Sequence, residues 1–354
     1  MDKEFHYYIT YLVALRAGFS STNSYLLAYS SQYVDDNDII FEINIGSPNY
    51  YSNYISQTIN ILKPKNRLFR IYPLFHFIPG EPLEDNARRK DGKLHTLNTT
   101  PDSNNARKIL ELAFNSRNIY RIGIASHAFV DTWAHQNFTG YYDEFNAMKN
   151  LLQKPLPRIG HAGAGHKPDR PAITWEDCRL VNSLEIRNNK DLFLKAAGRL
   201  FEELRLYVKP ECRKDLITED RDELVRDISE AIGEADQINK YRDARIERYK
   251  KIALSNEYGR IKLKEYDPDD WMDEAVNENI KGFRMRGKKA VFRFIKSSIS
   301  NTITSFKDVY SWKKPGKYEE TNWYKFQEAV KAHQKEAEAL LFMSTFNKLE
   351  LKNW

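Results

Sequence analysis

Cysteine is nearly absent: Cys178 and Cys212 are the only two in 354 residues. Two thiols cannot build a disulfide framework, and a reducing, cytoplasmic setting is expected. Long apolar runs are missing as well. The stretch inside "MDKEFHYYITYLVAL" falls far short of the ~20 residues that a membrane helix needs, so no integral membrane segment is expected. That stretch also contains Asp2, Glu4 and His6 and has neither a basic leader nor a small-residue cleavage site, so it does not read as a signal peptide. There is no P-loop, no dinucleotide-binding glycine pattern and no Ser-nucleophile elbow. No His is followed directly by Asp anywhere in the chain, which argues against an HD-type phosphohydrolase.

What is present suits a soluble protein with a substantial core: 41% hydrophobic and 29% charged residues. The net charge of +6 is unevenly spread. Between Lys281 and Lys317 there are eleven Lys/Arg and a single acid, Asp308; the +6 total less this local +10 leaves −4 elsewhere. Within "KGFRMRGKKAVFRFIK", Phe283, Phe292 and Phe294 alternate with cations. That pattern suits nucleic-acid backbone contact with base stacking, and equally an anionic membrane surface or a solvated helix face.

The dominant local pattern is helical. Helices are expected over 3–17 and 22–34, broken at "AGFSST" by Gly18 with Ser21 or Thr22 as cap. Another begins at Ser103 or Asn104 and runs, with a break near Asn115, to about Phe138. Further helices are expected over 189–208, 219–234, 236–257, 268–283 and 321–346. "DIIFEINIG" and "NRLFRIYPLFHF" read as extended, giving a small β insertion near 39–77. Residues 80–104 and the Pro/Gly-rich 153–177 read as loops. A boundary near 260–268 would divide a site-bearing region, 1–260, from a basic C-terminal helical region, 261–354, or the two would form one domain.

Histidine is scarce and skewed. Seven of eight fall before residue 170; only His333 lies beyond. In "ASHAFVDTWAHQNF", His127, Asp131 and His135 recur every four residues and share one helix face. A rise of ~1.5 Å per residue separates the two histidines by about 12 Å along the axis, too far for one ion with ~2.0–2.2 Å bonds. If this face binds metal, the spacing calls for at least two ions, with Asp131 bridging. The alternative is a polar face whose histidines donate to carbonyls and to Asp131. Other candidate ligands are His6 in "EFHYY", Asp35 and Asp36 closing "QYVDD", His76 in "PLFHFIPG", and His161, His166 and Asp169 in "RIGHAGAGHKPDRP". Acids at a helix C-terminus oppose its dipole, so Asp35-Asp36 invite a cation. Each has a structural alternative: His6 an interfacial residue, Asp35-Asp36 a helix end, His76 a turn support, the Gly-His loop a connector. His95 receives no role.

These segments, in this order, resemble the zinc-dependent phospholipase C and single-strand nuclease superfamily, whose members are helical and carry a trinuclear zinc cluster. The first 170 residues resemble more closely an uncharacterised bacterial family, a domain of unknown function, through "FHYY", "VDD", "PLFHFIPG", "HAFVDTWAHQNF" and "IGHAGAGHKPDRP". The likeness extends to "WEDC" and "RNNKDLFLKAA" near 175–197. The superfamily resemblance implies a mainly α, multi-helix bundle with His127 and Asp131 as metal ligands. It suggests His6, Asp35 and His76 as others, with His135 and His161 or His166 completing the set. The superfamily's N-terminal Trp, whose amine binds metal, has no counterpart in Met1-Asp2. The implied cofactor is Zn²⁺, two or three ions, with Mn²⁺ or another divalent ion as substitute. The expected activity is metal-dependent phosphodiester hydrolysis in nucleic acid or nucleotides. In it Asp35 or Asp36 orients water or takes its proton, and Arg158, Lys167 and Arg170 neutralise phosphate. The alternative is a non-enzymatic interaction protein with a structural metal or a buried His/Asp network.

Overall fold

The computed structural model describes residues 1–58, 70–148, 158–279 and 309–349. The protein is mainly helical. The chain enters through a π-helical segment, Glu4–Ile9, that runs straight into α1 (Thr10–Ala17). Gly18 ends α1 at φ 104°, a left-handed conformation that favours glycine. Helix α2 (Ser21–Asp36) is capped by Ser20, one residue earlier than expected, whose side chain accepts from the Asn23 N–H at 3.2 Å.

After α2 come β1 (Glu42–Ile43), β2 (Tyr51–Ser52) and the short α3 (Tyr72–Phe75). The extended reading therefore fails over 72–75, where Pro73 occupies the first turn of a helix. Nor is the sheet an insertion near 39–77 alone. Its strand order is β2-β1-β6-β5, and β5 (Val276–Asn279) and β6 (Val309–Trp312) come from the far end of the chain. β1 pairs antiparallel with β2 and parallel with β6. The expected helix over 268–283 is accordingly cut short: α9 covers Asp270–Ala275, and Val276 then pairs with Trp312. Residues 280–283 lie outside the described residues.

Helices α4 (Asn104–Ser116) and α5 (Ile119–Ala134) are split at Arg117, which adopts φ 52°. Every residue of α5 from Tyr120 to Ala134 is buried. A helix buried all round belongs at the centre of a fold, and α5 packs against α2, α4, α6 (Asn189–Val208) and α10 (Asn322–Ser344). It ends at Ala134, not near Phe138; His135 is its C-cap, still bonded from its N–H to the Asp131 carbonyl at 2.8 Å. Helix α7 (Lys214–Ile232) packs on α6, and α8 (Arg242–Ala253) packs on α7 and the entering π-helix. Between α7 and α8 the Asp236 carboxylate accepts the N–H groups of Lys240 and Tyr241, which keeps 233–241 out of the helix expected there. A two-stranded ribbon, β3 (Thr174–Glu176) with β4 (Ile186–Asn188), flanks the Gly-His loop.

One hydrophobic core runs from Met1 to Phe346 and includes Leu263, Tyr266 and Trp271 just beyond residue 260. Tyrosines from the first two helices tie that segment down: the hydroxyls of Tyr7 and Tyr29 donate to the carbonyls of Lys264 and Asp267. Among the described residues no helix is long and apolar enough to cross a membrane.

Candidate metal centre

Four elements aim side chains at one place. The π-helix carries His6, the end of α2 carries Asp35, the residue after α3 is His76, and α5 carries His127 and Asp131 with His135 at its cap. The loop after residue 158 adds His161 and Asp169. Three groups of donors result, the first two sharing His127, each with ligand atoms within 4.8 Å of one another: His6, His127 and Asp131; Asp35, His76 and His127; and His135, His161 and Asp169. Each could hold a metal ion.

Asp131 is the hub, and its side chain is almost wholly buried. Its Oδ1 lies 3.1 Å from His6 Nε2. Its Oδ2 lies 3.1 Å from His127 Nε2, 3.4 Å from His76 Nδ1 and 3.5 Å from His135 Nδ1. Asp35 Oδ1 sits 3.7 Å from both His76 Nδ1 and His127 Nε2. Asp169 Oδ1 lies 3.3 Å from His135 Nε2 and 3.5 Å from His161 Nε2. The sequence gives the superfamily's N-terminal amine no counterpart in Met1-Asp2, but the structure places the Met1 α-amine inside the cluster. It donates to Asp131 Oδ1 and lies 3.5 Å from both Asp169 Oδ1 and His135 Nε2.

Ring tautomers follow from the surroundings. His127 Nδ1 is 2.7 Å from the Ser31 carbonyl, His76 Nε2 is 3.0 Å from the Ser56 carbonyl, and His135 Nδ1 is 2.8 Å from the His76 carbonyl. His161 Nδ1 is 2.8 Å from the Gly165 carbonyl. A carbonyl only accepts, so each of these nitrogens carries a proton and the other ring nitrogen, bare whenever the ring is neutral, is turned inward. This is the arrangement that orients histidines toward a metal. His76 Nδ1 and His127 Nε2 thus face each other at 3.1 Å, and in the neutral rings neither carries a proton to share. Neither ring nitrogen of His6 nor the Oδ2 of Asp131 has a hydrogen-bond partner, although all are buried.

Electrostatics match this crowding. Burial alone would raise the Asp131 carboxyl, but His135, the Met1 amine, His127 and His6 hold it well below the usual range. Asp169 is likewise held low against burial by His161, the Met1 amine and its contacts with His135 and His166. Burial pushes Asp35 up to about 8, against the pull of His76. Burial, helped by His127 and the Met1 amine, drives His6 well below its ordinary value. Burial would depress the amine itself, but Asp131, Asp169 and Asp35 raise it to about 10.

The remaining candidates sit elsewhere. Asp36 turns away from the donor groups: its Oδ2 accepts from the Tyr266 hydroxyl at 2.6 Å and from Gln32 Nε2 at 3.1 Å. His166 has an 80% exposed side chain whose nearest contact of this kind is Asp169, at 3.8 Å. Arg158 is exposed and paired with Glu144. Lys167 and Arg170 are tethered through their carbonyls, which accept from Asn189 Nδ2 at 2.6 and 2.8 Å. Residues 280–308, most of the basic segment, lie outside the described residues. Asp169, a candidate of the Gly-His loop that the resemblance leaves out of its ligand set, belongs to the third group; the carbonyls of Ser31, Ser56 and Gly165 carry no sequence signal.

No curated protein and no solved structure matches the chain. A family model spans residues 1–341. By the extent of that match, the chain belongs to a family of unknown function, DUF6765.

Proposed function

We propose that this chain is a metal-dependent phosphoesterase that hydrolyses phosphodiester bonds in nucleic acid or nucleotides at a centre of two or three divalent ions, with zinc the first choice. One observation carries the reading. The proton-free nitrogens of His76 and His127 stand 3.1 Å apart with Asp131 Oδ2 within 3.4 Å of both. Three lone-pair donors around one point repel one another unless a cation lies among them.

A single imidazole nitrogen serves one ion at a time, so the donors divide. Asp35, His76, His127 and Asp131 Oδ2 would hold one ion, and His6 with Asp131 Oδ1 a second bridged to it. His135, His161 and Asp169 would hold a third. His135 has its own group here, which accommodates the 12 Å helical separation. When bound, such a centre polarises a phosphoryl group and lowers the pKa of water toward ~7. Asp35 is the most exposed donor of the two bridged groups, with a side chain 27% accessible. It would orient the attacking water and receive its proton. Asp36, held by Tyr266 and Gln32, would steady that turn. Lys167 and Arg170, in the same loop as His161, with Arg158 at its start, would offset phosphate charge. The accessibility of Asp35 and His161 favours an open, reactive centre over a closed structural one.

The test is elemental analysis of purified protein, followed by assays on a generic phosphodiester and a short oligonucleotide with and without chelator. Two or three ions per chain and chelator-sensitive turnover are expected. Asp131→Asn should lower turnover by at least about 100-fold with its far-UV spectrum retained. Bound metal without turnover on any phosphoester, or turnover that survives Asp131→Asn, would overturn the proposal.

A further inference from the structure

Outside the metal centre the molecule buries three guanidinium groups close together. Arg89 and Arg179 both donate through Nη1 to the Phe145 carbonyl, at 3.1 and 3.2 Å. Each has a carboxylate of its own: Arg89 grips Asp91 and Arg179 grips Asp177, both through Nε and Nη2. Arg179 also lies over the Phe138 ring at 3.9 Å, and Arg89 over Phe145 at 4.1 Å.

The third, Arg187, is different. It occupies the inward face of β4, opposite Trp175 on β3, while its neighbours Ile186 and Asn188 face outward. It is only 8% exposed, and its Nη2 is sealed from solvent with no hydrogen-bond partner. No carboxylate among the described residues lies within ion-pair distance of it, and the described residues contain every acid of the chain except Asp308 and Glu350. The carboxylate it senses most is Asp177, and both oxygens of Asp177 are already taken by Arg179. The Arg179 charge repels Arg187 in turn. Burial pushes Arg187 down to about 10, so it stays protonated at neutral pH. A buried cation that keeps its charge needs a counter-charge, and a planar guanidinium matches a tetrahedral oxyanion in a two-pronged fashion.

We propose that Arg187, backed by Arg179, forms a binding site for a small oxyanion, phosphate or sulfate in type. The site is separate from the metal centre and independent of the catalytic reading. Arg179 lies over Phe138, whose other contacts include the His161 ring at 6.1 Å. An occupant there would brace the β3–β4 ribbon and the neighbouring wall of the Gly-His loop. The oxyanion comes either as a free ion or as the terminal phosphate of an organic ester.

The test uses the full metal-loaded chain and sulfate, a poor ligand for divalent metals, with methyl phosphate in a parallel arm and chloride as control. Wild-type protein should show a saturable rise in melting temperature with one sulfate bound per chain, not reproduced by chloride at equal ionic strength. Arg187→Met should bind sulfate at least about tenfold more weakly with unchanged metal content. Because that substitution removes an uncompensated buried charge, it should also melt higher than wild type in anion-poor buffer. Saturation of the methyl phosphate arm that Arg187→Met loses identifies an organic phosphate as ligand; binding of sulfate alone identifies the free ion. Equal sulfate responses in wild type and Arg187→Met, or no saturable response in wild type, would overturn the proposal. So would a drop in melting temperature for the variant in anion-poor buffer, because it would make Arg187 a packing residue.

Discussion

Apart from His6, each histidine of the centre gives one ring nitrogen to a backbone carbonyl and keeps the other bare. His333 shows the contrast. It is also buried, with Nε2 3.1 Å from the Leu74 carbonyl, but it packs its ring against Phe75 and belongs to none of the three donor groups. Burial pushes it down to about 4. Its folded value lies below its unfolded value of ~6.5, so the folded state disfavours the charged ring. The neutral ring's contribution is complete above ~6.5 and is lost as pH falls toward 4, on the order of 3 kcal/mol in total. Urea unfolding between pH 7 and 4 should therefore show a steeper loss of stability for wild type than for His333→Phe. Parallel curves for the two proteins would contradict this. At this scale the spacing of His127, Asp131 and His135 is legible in the sequence, because helical periodicity alone puts them on one face. The carbonyls that set their tautomers are not, because any residue supplies a carbonyl and only the fold chooses which one.

The element that matters most is the contact between α2 and α5. A Cβ added at Gly123 would stand 2.4 Å from the Leu27 carbonyl oxygen and 2.6 Å from Ser30 Cβ. The two helices touch there through backbone, and the same contact brings the Ser31 carbonyl and Asp35 to the His127 ring. Gly123→Ala should force the helices apart, costing about 1–3 kcal/mol in chemical denaturation and weakening metal binding in a chelator competition. An unchanged metal affinity would show that the helix spacing does not hold the centre. Long helices such as α6 and α10 were readable from their periodicity. The sheet was not, since its two halves lie more than two hundred residues apart and each strand is too short to carry a pattern. The helix expected to continue beyond Ala275 gives way for the same reason: pairing with β6 overrides local propensity.

Across the whole molecule, the entering segment is held by a buried ion network. Arg245 donates to both oxygens of Glu4, at 2.8 Å each, and to Asp236 at 2.8 Å; Glu4 lies between Met1 and His6. Asp236 in turn donates its N–H to the Ala172 carbonyl, in the stretch that follows Asp169, at 2.7 Å. Arg245→Met would leave two buried carboxylates without their cation and should cost about 3–5 kcal/mol in urea unfolding. A second prediction at this scale concerns the metal. Donors brought from chain positions 6 to 169 meet only in the folded state, so bound ions stabilise that state alone. Chelator should lower the melting temperature by several degrees and restored zinc should recover it; a chelator-independent melting temperature would argue against bound metal.

The sequence by itself determined the helical class, the scarcity and skew of histidine, and the helical face shared by His127, Asp131 and His135, because these depend on composition and on periods of a few residues. Tertiary structure alone decided that His6, Asp35, His76, His161 and Asp169 join that face while Asp36 and His166 do not. It also decided that the Met1 amine stands among them and that Arg187 is buried without a carboxylate partner among the described residues. Those outcomes depend on which distant backbone and side-chain groups packing brings within about 3–4 Å, and no local pattern encodes that distance.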